Sequence, residues 1–220
     1  MESFKDNLLY QVTEIKKVKG RYKYRLLYIN GKKYGEFFEE LLFKFNIKED
    51  SYLSEKELNQ LRGFQEEREA EKVAINYLSY KPRSINEVRR KLFGKKISNT
   101  MIDNTIEKMK NCGYLDDNKY AHDWIEERIK TRGFSPFKIR SELIIKGISK
   151  EIIDKNLSRI YTPELEIETA RRIAKEQIRR YKNLDKKTIR RRTINFLLRK
   201  GYNYSTIESI LPEILENLFN

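Results

Sequence analysis

The chain has 220 residues, a mean hydropathy of −0.78 and a formal net charge of +14 from 47 basic and 33 acidic residues. That length allows one to three small domains, and 25 Tyr and Phe side chains supply material for their cores, so the composition favours a folded chain over a disordered one. No run of about 18 apolar residues offers a membrane span, Lys5 and Asp6 interrupt Phe4–Leu9 as a leader, and the single Cys112 excludes an internal disulfide; a soluble protein of the reducing cytoplasm is expected.

In chain order, the first elements read as strands. Leu8–Val12 and Tyr22–Ile29 are rich in β-formers, and Asn30-Gly31 leads into Lys32–Phe37. Both residues of that dipeptide accept the positive φ of a tight hairpin turn, so a small antiparallel module of three or four strands is expected. Helical signals begin near Glu39 and strengthen at Ser54–Glu57, where Ser54 and Glu57 can form a capping box. The helix is expected to reach about Tyr80, past a weak point at Gly63, and to stop at Lys81-Pro82.

From Glu69 onward the sequence repeats. Ser84, Val88, Leu92, Ile97, Ser98, Ile102, Asp103 and Ile106 recur 51 residues later as Ser135, Ile139, Leu143, Ile148, Ser149, Ile153, Asp154 and Leu157. The preceding helix recurs at an offset of 47, so the turn after it is four residues longer in the second copy. An offset of 54 carries Leu143, Lys146, Gly147, Ile153 and Leu157 onto Leu197, Lys200, Gly201, Ile207 and Leu211 in a looser third copy. Each copy reads as three short helices. Tyr120, Ala121, Trp124, Ile125, Arg128 and Ile129 form one face in copy two, Ser135-Pro136 opens its middle helix, Gly147 closes it, and Ser149 opens the last. Capping boxes are expected at Ser84 with Glu87 and at Ser205 with Glu208.

The fold class is therefore mainly α: three tandem three-helix repeats behind a small antiparallel β module. The organisation expected is a β-rich module over 1–53, a long helix over 54–80, and repeats over 69–117, 118–162 and 163–220. Units this small bury little surface alone and are expected to stack into an elongated body.

Catalytic chemistry finds little support. One His and one Cys cannot furnish a zinc site, His122 has no nucleophile to serve, and no phosphate loop of the GxGxxG or GxxxxGK type occurs. Asp116-Asp117 reads as an N-cap, Glu126-Glu127 as divergent carboxylates, and Cys112 as a packed residue near a helix end; neither cofactor nor metal is expected. Binding chemistry is better represented. Residues 171–200 hold 13 basic and 2 acidic residues. Arg89, Arg90 and Lys91, Lys138 and Arg140, Lys146, Arg171 and Arg172, Arg179 and Arg180, Arg190, Arg191 and Arg192, and Arg199 with Lys200 spread basic pairs over all three copies. Guanidinium forks hold phosphates or carboxylates, so a polyanion or an acidic protein face is the expected partner. Tyr120 and Trp124 could stack on bases, although their helical spacing favours the core.

The stretch from Gly113-Tyr114-Leu115-Asp116-Asp117 through Tyr120-Ala121-His122-Asp123-Trp124 to Arg128 resembles the signature region of the RecX family, regulators of the RecA recombinase. Arg132-Gly133 and Ser141–Ile148 resemble that family's next block, Ala74–Leu92 its N-terminal block, and the hairpin the β extension of Gram-positive-type members. The resemblance implies a protein that binds the RecA filament, commonly in its groove, and limits ATP hydrolysis, strand exchange and recombinational repair; a monomer without catalysis is expected. It also implies non-specific contact with single- or double-stranded DNA. An autonomous DNA-binding protein with helix-turn-helix-like units is the alternative. Tyr120, Ala121, Trp124, Arg128, Leu143, Lys146 and Gly147 fall on the signature, most of them holding the fold; Arg128 and Lys146, with Arg132, are its candidate contacts.

Overall fold

A computed structural model describes residues 9–181 and 184–219. Leu8, with which the first strand is predicted to begin, and the Phe4–Leu8 segment lie outside the described residues. The N-terminal module contains β1 (Leu9–Lys17), β2 (Tyr24–Ile29), β3 (Lys32–Phe38), α1 (Glu39–Lys44) and β4 (Tyr52–Ser54). They are followed by α2 (Glu55–Leu78), α3 (Ile85–Phe93) and α4 (Asn99–Asn111). The second repeat comprises α5 (Asp117–Glu127), continued by a π-helical turn over Arg128–Arg132, then α6 (Pro136–Ile145) and α7 (Lys150–Ile160). The third comprises α8 (Pro163–Ile178), α9 (Lys186–Arg199) and α10 (Tyr204–Phe219). The chain is thus mainly helical, with three three-helix domains behind a four-stranded antiparallel sheet.

These elements group into two compact units, residues 1–77 with 91–107, and residues 78–90 with 108–220. In the first, the strand order is β3-β2-β1-β4. Asn30 (φ 48°) and Gly31 (φ 74°) make the β2–β3 turn, as their sequence requires. β1 runs five residues beyond its predicted end, with a bulge between Val12 and Glu14. β4 carries no period of its own and forms because Tyr52, Leu53 and Ser54 pair with Gln11, Tyr10 and Leu9. Val12, Leu27, Phe37, Leu42 and Leu53 of this module bury against Leu58 and Leu61 of α2. The Ser54–Glu57 box forms: the Ser54 N–H donates to Glu57 Oε2 at 2.7 Å, and the Glu57 N–H donates to Ser54 Oγ at 3.2 Å. α2 passes through Gly63 and ends at Leu78, two residues before the predicted limit.

In the second unit, the second repeat buries Tyr120, Ala121, Ile125, Ile139, Leu143, Ile148, Ile153 and Leu157. The third buries Ile173, Ile178, Ile189, Leu197, Ile207 and Leu211, so the aligned apolar positions Leu143, Ile153 and Leu157, with Leu197, Ile207 and Leu211, are core positions. Ser135 caps α6 ahead of Pro136, Ser149 caps α7, and Gly147 is left-handed at φ 79°.

Three expectations are corrected. The cap of α10 is Asn203, whose Oδ1 accepts from the Thr206 N–H at 2.8 Å; Glu208 instead pairs with Arg190, so no Ser205–Glu208 box exists. Asp116 alone caps α5, accepting from the Asn118 and Lys119 amides, while Asp117 starts the helix and accepts from the Ile85 N–H at 2.9 Å. Its burial raises the Asp117 pKa, against the Ile85 hydrogen bond. Cys112 is exposed, not packed, just past the end of α4 at Asn111.

Candidate macromolecular interface

The signature residues converge beside α5. Trp124 stays half-buried at the margin of the second repeat's core, stacked on Tyr120 with ring centroids 5.7 Å apart. The Arg128 guanidinium lies over the indole at 3.9 Å from its centroid, and the Lys146 ammonium stands 5.1 Å from the same ring. Glu142 of α6 ties the set together, accepting from Trp124 Nε1 at 3.0 Å and from Arg128 Nε at 2.7 Å. Tyr120, Trp124, Arg128 and Lys146, with Lys81, Pro82, Glu87, Asp123 and Glu127, line an open pocket of about 330 Å³. Trp124 is therefore a wall of a polar-rimmed pocket as well as a packing residue, which its helical period could not distinguish.

Glu87 reaches this pocket from the N-terminus of α3. Its carboxylate closes a capping box with Ser84 and accepts from Lys146 Nζ at 2.8 Å. Burial works against its charge, yet Lys146, the Ser84 amide and Arg83 together hold its pKa below the usual carboxylate range. The Ser84 hydroxyl donates to the Lys146 carbonyl at 2.7 Å, and Gly147 packs directly on Asn86. The arrangement recurs one repeat later. The Ser135 N–H donates to the Lys200 carbonyl at 3.0 Å, and Gly201 (φ 90°) packs on Ser135 and Lys138. Thus the Lys-Gly pairs ending α6 and α9 each sit on the first turn of the preceding middle helix, where the orphan lysine carbonyl finds a donor. The offsets of 51 and 54 align Ser84 with Ser135 and Lys146-Gly147 with Lys200-Gly201. That alignment was the available signal, although each glycine reads locally as no more than a helix cap.

Several of the basic candidates have named partners, and several are exposed. Arg128 pairs with Glu127 and Glu142, Arg140 with Asp154, and Lys146 with Glu87. Arg171 pairs with Glu213, Arg172 with Glu176 and the Ile129 carbonyl, and Arg190 with Glu208. Lys200 Nζ donates to the Arg132 carbonyl at 2.7 Å, and burial with the nearby Arg132 charge lowers its pKa. Arg89 and Arg90 are exposed on α3; Lys91, in the other unit, stands over the Tyr77 ring at 5.5 Å. Arg132, Arg179, Arg180, Arg191, Arg192 and Arg199 are exposed and Lys138 half-buried, with Arg192 near the Tyr181 ring. Exposed ion pairs such as Arg190–Glu208 contribute under about 1 kcal/mol and exchange readily for another anion.

His122 lies between Asp123 (3.4 Å) and Glu126 (3.7 Å), and no group of three or more His, Cys, Asp or Glu among the described residues could hold a metal ion. No described helix is long and apolar enough to cross a membrane.

Family models described as the first, second and third three-helix domains of RecX match residues 70–109, 116–157 and 164–211. Regulatory protein RecX of Lactococcus lactis subsp. lactis is 32% identical over 208 residues, covering 94% of this chain and 77% of that protein. Regulatory protein RecX of Limosilactobacillus reuteri is 28% identical over 202 residues, 92% of this chain and 75% of that one. A crystal structure of regulatory protein RecX superposes with a TM-score of 0.64 at 26% identity, covering 91% of this chain and 98% of its own. That of RecX from Lactobacillus salivarius gives 0.60 at 28% identity, over 68% of this chain and 96% of its own. Three domain matches in order and near-full-length relatives lead to one conclusion: the chain belongs to the RecX family of regulatory proteins.

Proposed function

We propose that the protein is a non-catalytic, monomeric, cytoplasmic regulator that binds the RecA recombinase filament and limits its ATP hydrolysis and strand exchange. The observation that carries this reading is the in-order succession of three RecX three-helix domains, with the signature residues Tyr120, Trp124, Arg128 and Lys146 gathered around one pocket. The outward arginines of the third repeat support an additional, sequence-indifferent contact with DNA phosphates. The test is direct: purified protein added to RecA on single-stranded DNA is expected to slow ATP hydrolysis and strand exchange. Unchanged rates at saturating protein would refute the reading. The three-helix domains also favour a second one, autonomous DNA binding, which a sequence-specific footprint on naked duplex without RecA would establish.

The charge makes a further prediction. Replacing Arg190, Arg191 and Arg192 by Ala is expected to weaken DNA binding and flatten its salt dependence, by roughly 0.7–0.9 in log–log slope for each phosphate left without its arginine. Thermal stability should hold, because all three side chains are exposed and the one ion pair among them, Arg190 with Glu208, lies at the surface. Equal binding at low and high salt would show that this run only solvates its helix.

A further inference from the structure

The middle helices of the second and third repeats occupy equivalent positions, yet their outward faces differ in chemistry. On α6, Ile139 and Leu143 are fully buried, whereas Phe137, Ile144 and Ile145 are 70%, 59% and 71% exposed. With Ser141 they share an arc of about 100°. An isolated exposed apolar residue is ordinary; three large ones contiguous on one helix face are not. The offset of 54 places Arg191, Asn195, Leu198 and Arg199 of α9 at the same four positions, and all four are exposed. One face is apolar and its counterpart carries two guanidiniums.

The margins of the α6 face are basic. Lys138 borders the Ile145 edge, and Arg140, paired with Asp154, borders the Ile144 edge. The helix's only carboxylate, Glu142, points away and is engaged by Trp124 and Arg128. At its N-terminal end Phe137 opens onto a groove of about 540 Å³ lined also by Pro136, Leu198, Tyr202 and one carboxylate, Glu166. Phosphate backbones have no use for three exposed apolar side chains, whereas protein interfaces place such anchors at their centres with complementary charge at the rim.

We infer that the outward face of α6 is a protein-docking surface for an apolar segment with carboxylates at its margins, while the equivalent face of α9 serves phosphates. The inference rests on the functional reading above and assigns its two kinds of contact to different repeats.

Two paired variants of the full-length protein test it, Phe137→Ser with Ile145→Ser, and Arg191→Ala with Arg199→Ala. Binding is measured to RecA filaments on single-stranded DNA and to the same DNA bare. The α6 pair is expected to weaken filament binding at least ten-fold and to leave bare-DNA affinity within two-fold; the α9 pair is expected to weaken bare-DNA binding. Lys138→Glu, which spares the apolar residues, should weaken filament binding at least three-fold by repelling the partner's carboxylates. Filament affinity within two-fold of wild type for the α6 pair would overturn the assignment, as would a parallel loss on bare DNA. An unchanged Lys138→Glu variant would overturn the acidic rim. A wild-type dimer dissolved by the α6 pair, with filament binding intact, would overturn it in favour of a second copy of this chain. Failure of the wild-type protein to bind filaments at all would refute the functional reading itself, and this assignment with it.

Discussion

Gly147→Ala is expected to destabilise the protein by about 3 kcal/mol. Part of that cost is conformational: at φ 79° a side chain costs about 1 kcal/mol. The rest is steric, since an added Cβ would come within 2.5 Å of Cβ and Cγ of Asn86, and forced overpacking costs about 1–3 kcal/mol. The two parts are separable. In an Asn86→Gly background the clash disappears, so the same substitution should then cost only about 1 kcal/mol. Urea unfolding of the four proteins gives the answer. A loss below about 0.5 kcal/mol for Gly147→Ala alone would mean that α3 and α6 separate freely at this point.

Glu142→Ala is expected to cost about 2 kcal/mol and to change the environment of Trp124. The side chains of Arg128 and Glu142 are 18% and 26% exposed, and removing the carboxylate leaves a half-buried guanidinium and an indole N–H with fewer acceptors. Breaking one side of such a pair costs more than the pair contributes, and partial exposure keeps the figure below that of a fully buried one. Trp124 is the only tryptophan, so its emission reports the pocket alone. A shifted emission maximum with a lowered midpoint is the expected result. Glu142→Gln, which keeps an acceptor, should restore most of the emission and only part of the stability. An unaltered spectrum in Glu142→Ala would show that Arg128 and Trp124 hold each other without the carboxylate.

Much of the fold was legible in the sequence because its signals are local. The Asn30-Gly31 turn, the Ser54 and Ser84 boxes, Ser135-Pro136 and the left-handed Gly147 each depend on residues within a turn of one another. β4 was not legible, since three residues without a period become a strand only through pairing with β1. The choice of Asn203 over Ser205 was decided by which side chain reached the first turn, and Glu208 was drawn off by Arg190. Asp117 shows the limit most clearly. Its neighbour caps the helix that both residues suggest, while its own carboxylate serves the Ile85 amide, 32 residues away in sequence. The basic runs were visible, but which cations are spoken for depends on partners supplied by other helices, as with Arg140 and Asp154 or Arg171 and Glu213.

The four residues by which the second copy exceeds the first fall at the wide turn over Arg128–Arg132 and the loop after it. Main-chain carbonyls there become acceptors: Ile129 for Arg172, Arg132 for Lys200, and Gly133 for the Tyr202 hydroxyl, which also meets Tyr161. Where α3 meets the second repeat, one bond also ends on a peptide oxygen, from the Ser84 hydroxyl to the Lys146 carbonyl, but two others run through carboxylates, Glu87 to Lys146 and Asp117 to the Ile85 amide. Charges on side chains are screened by added salt and titrate with acid; neutral peptide oxygens do neither. The array is consequently fastened by two kinds of latch, one responsive to its ionic surroundings and one indifferent to them, and a polyelectrolyte with its cloud of counterions would act on the first while leaving the second closed.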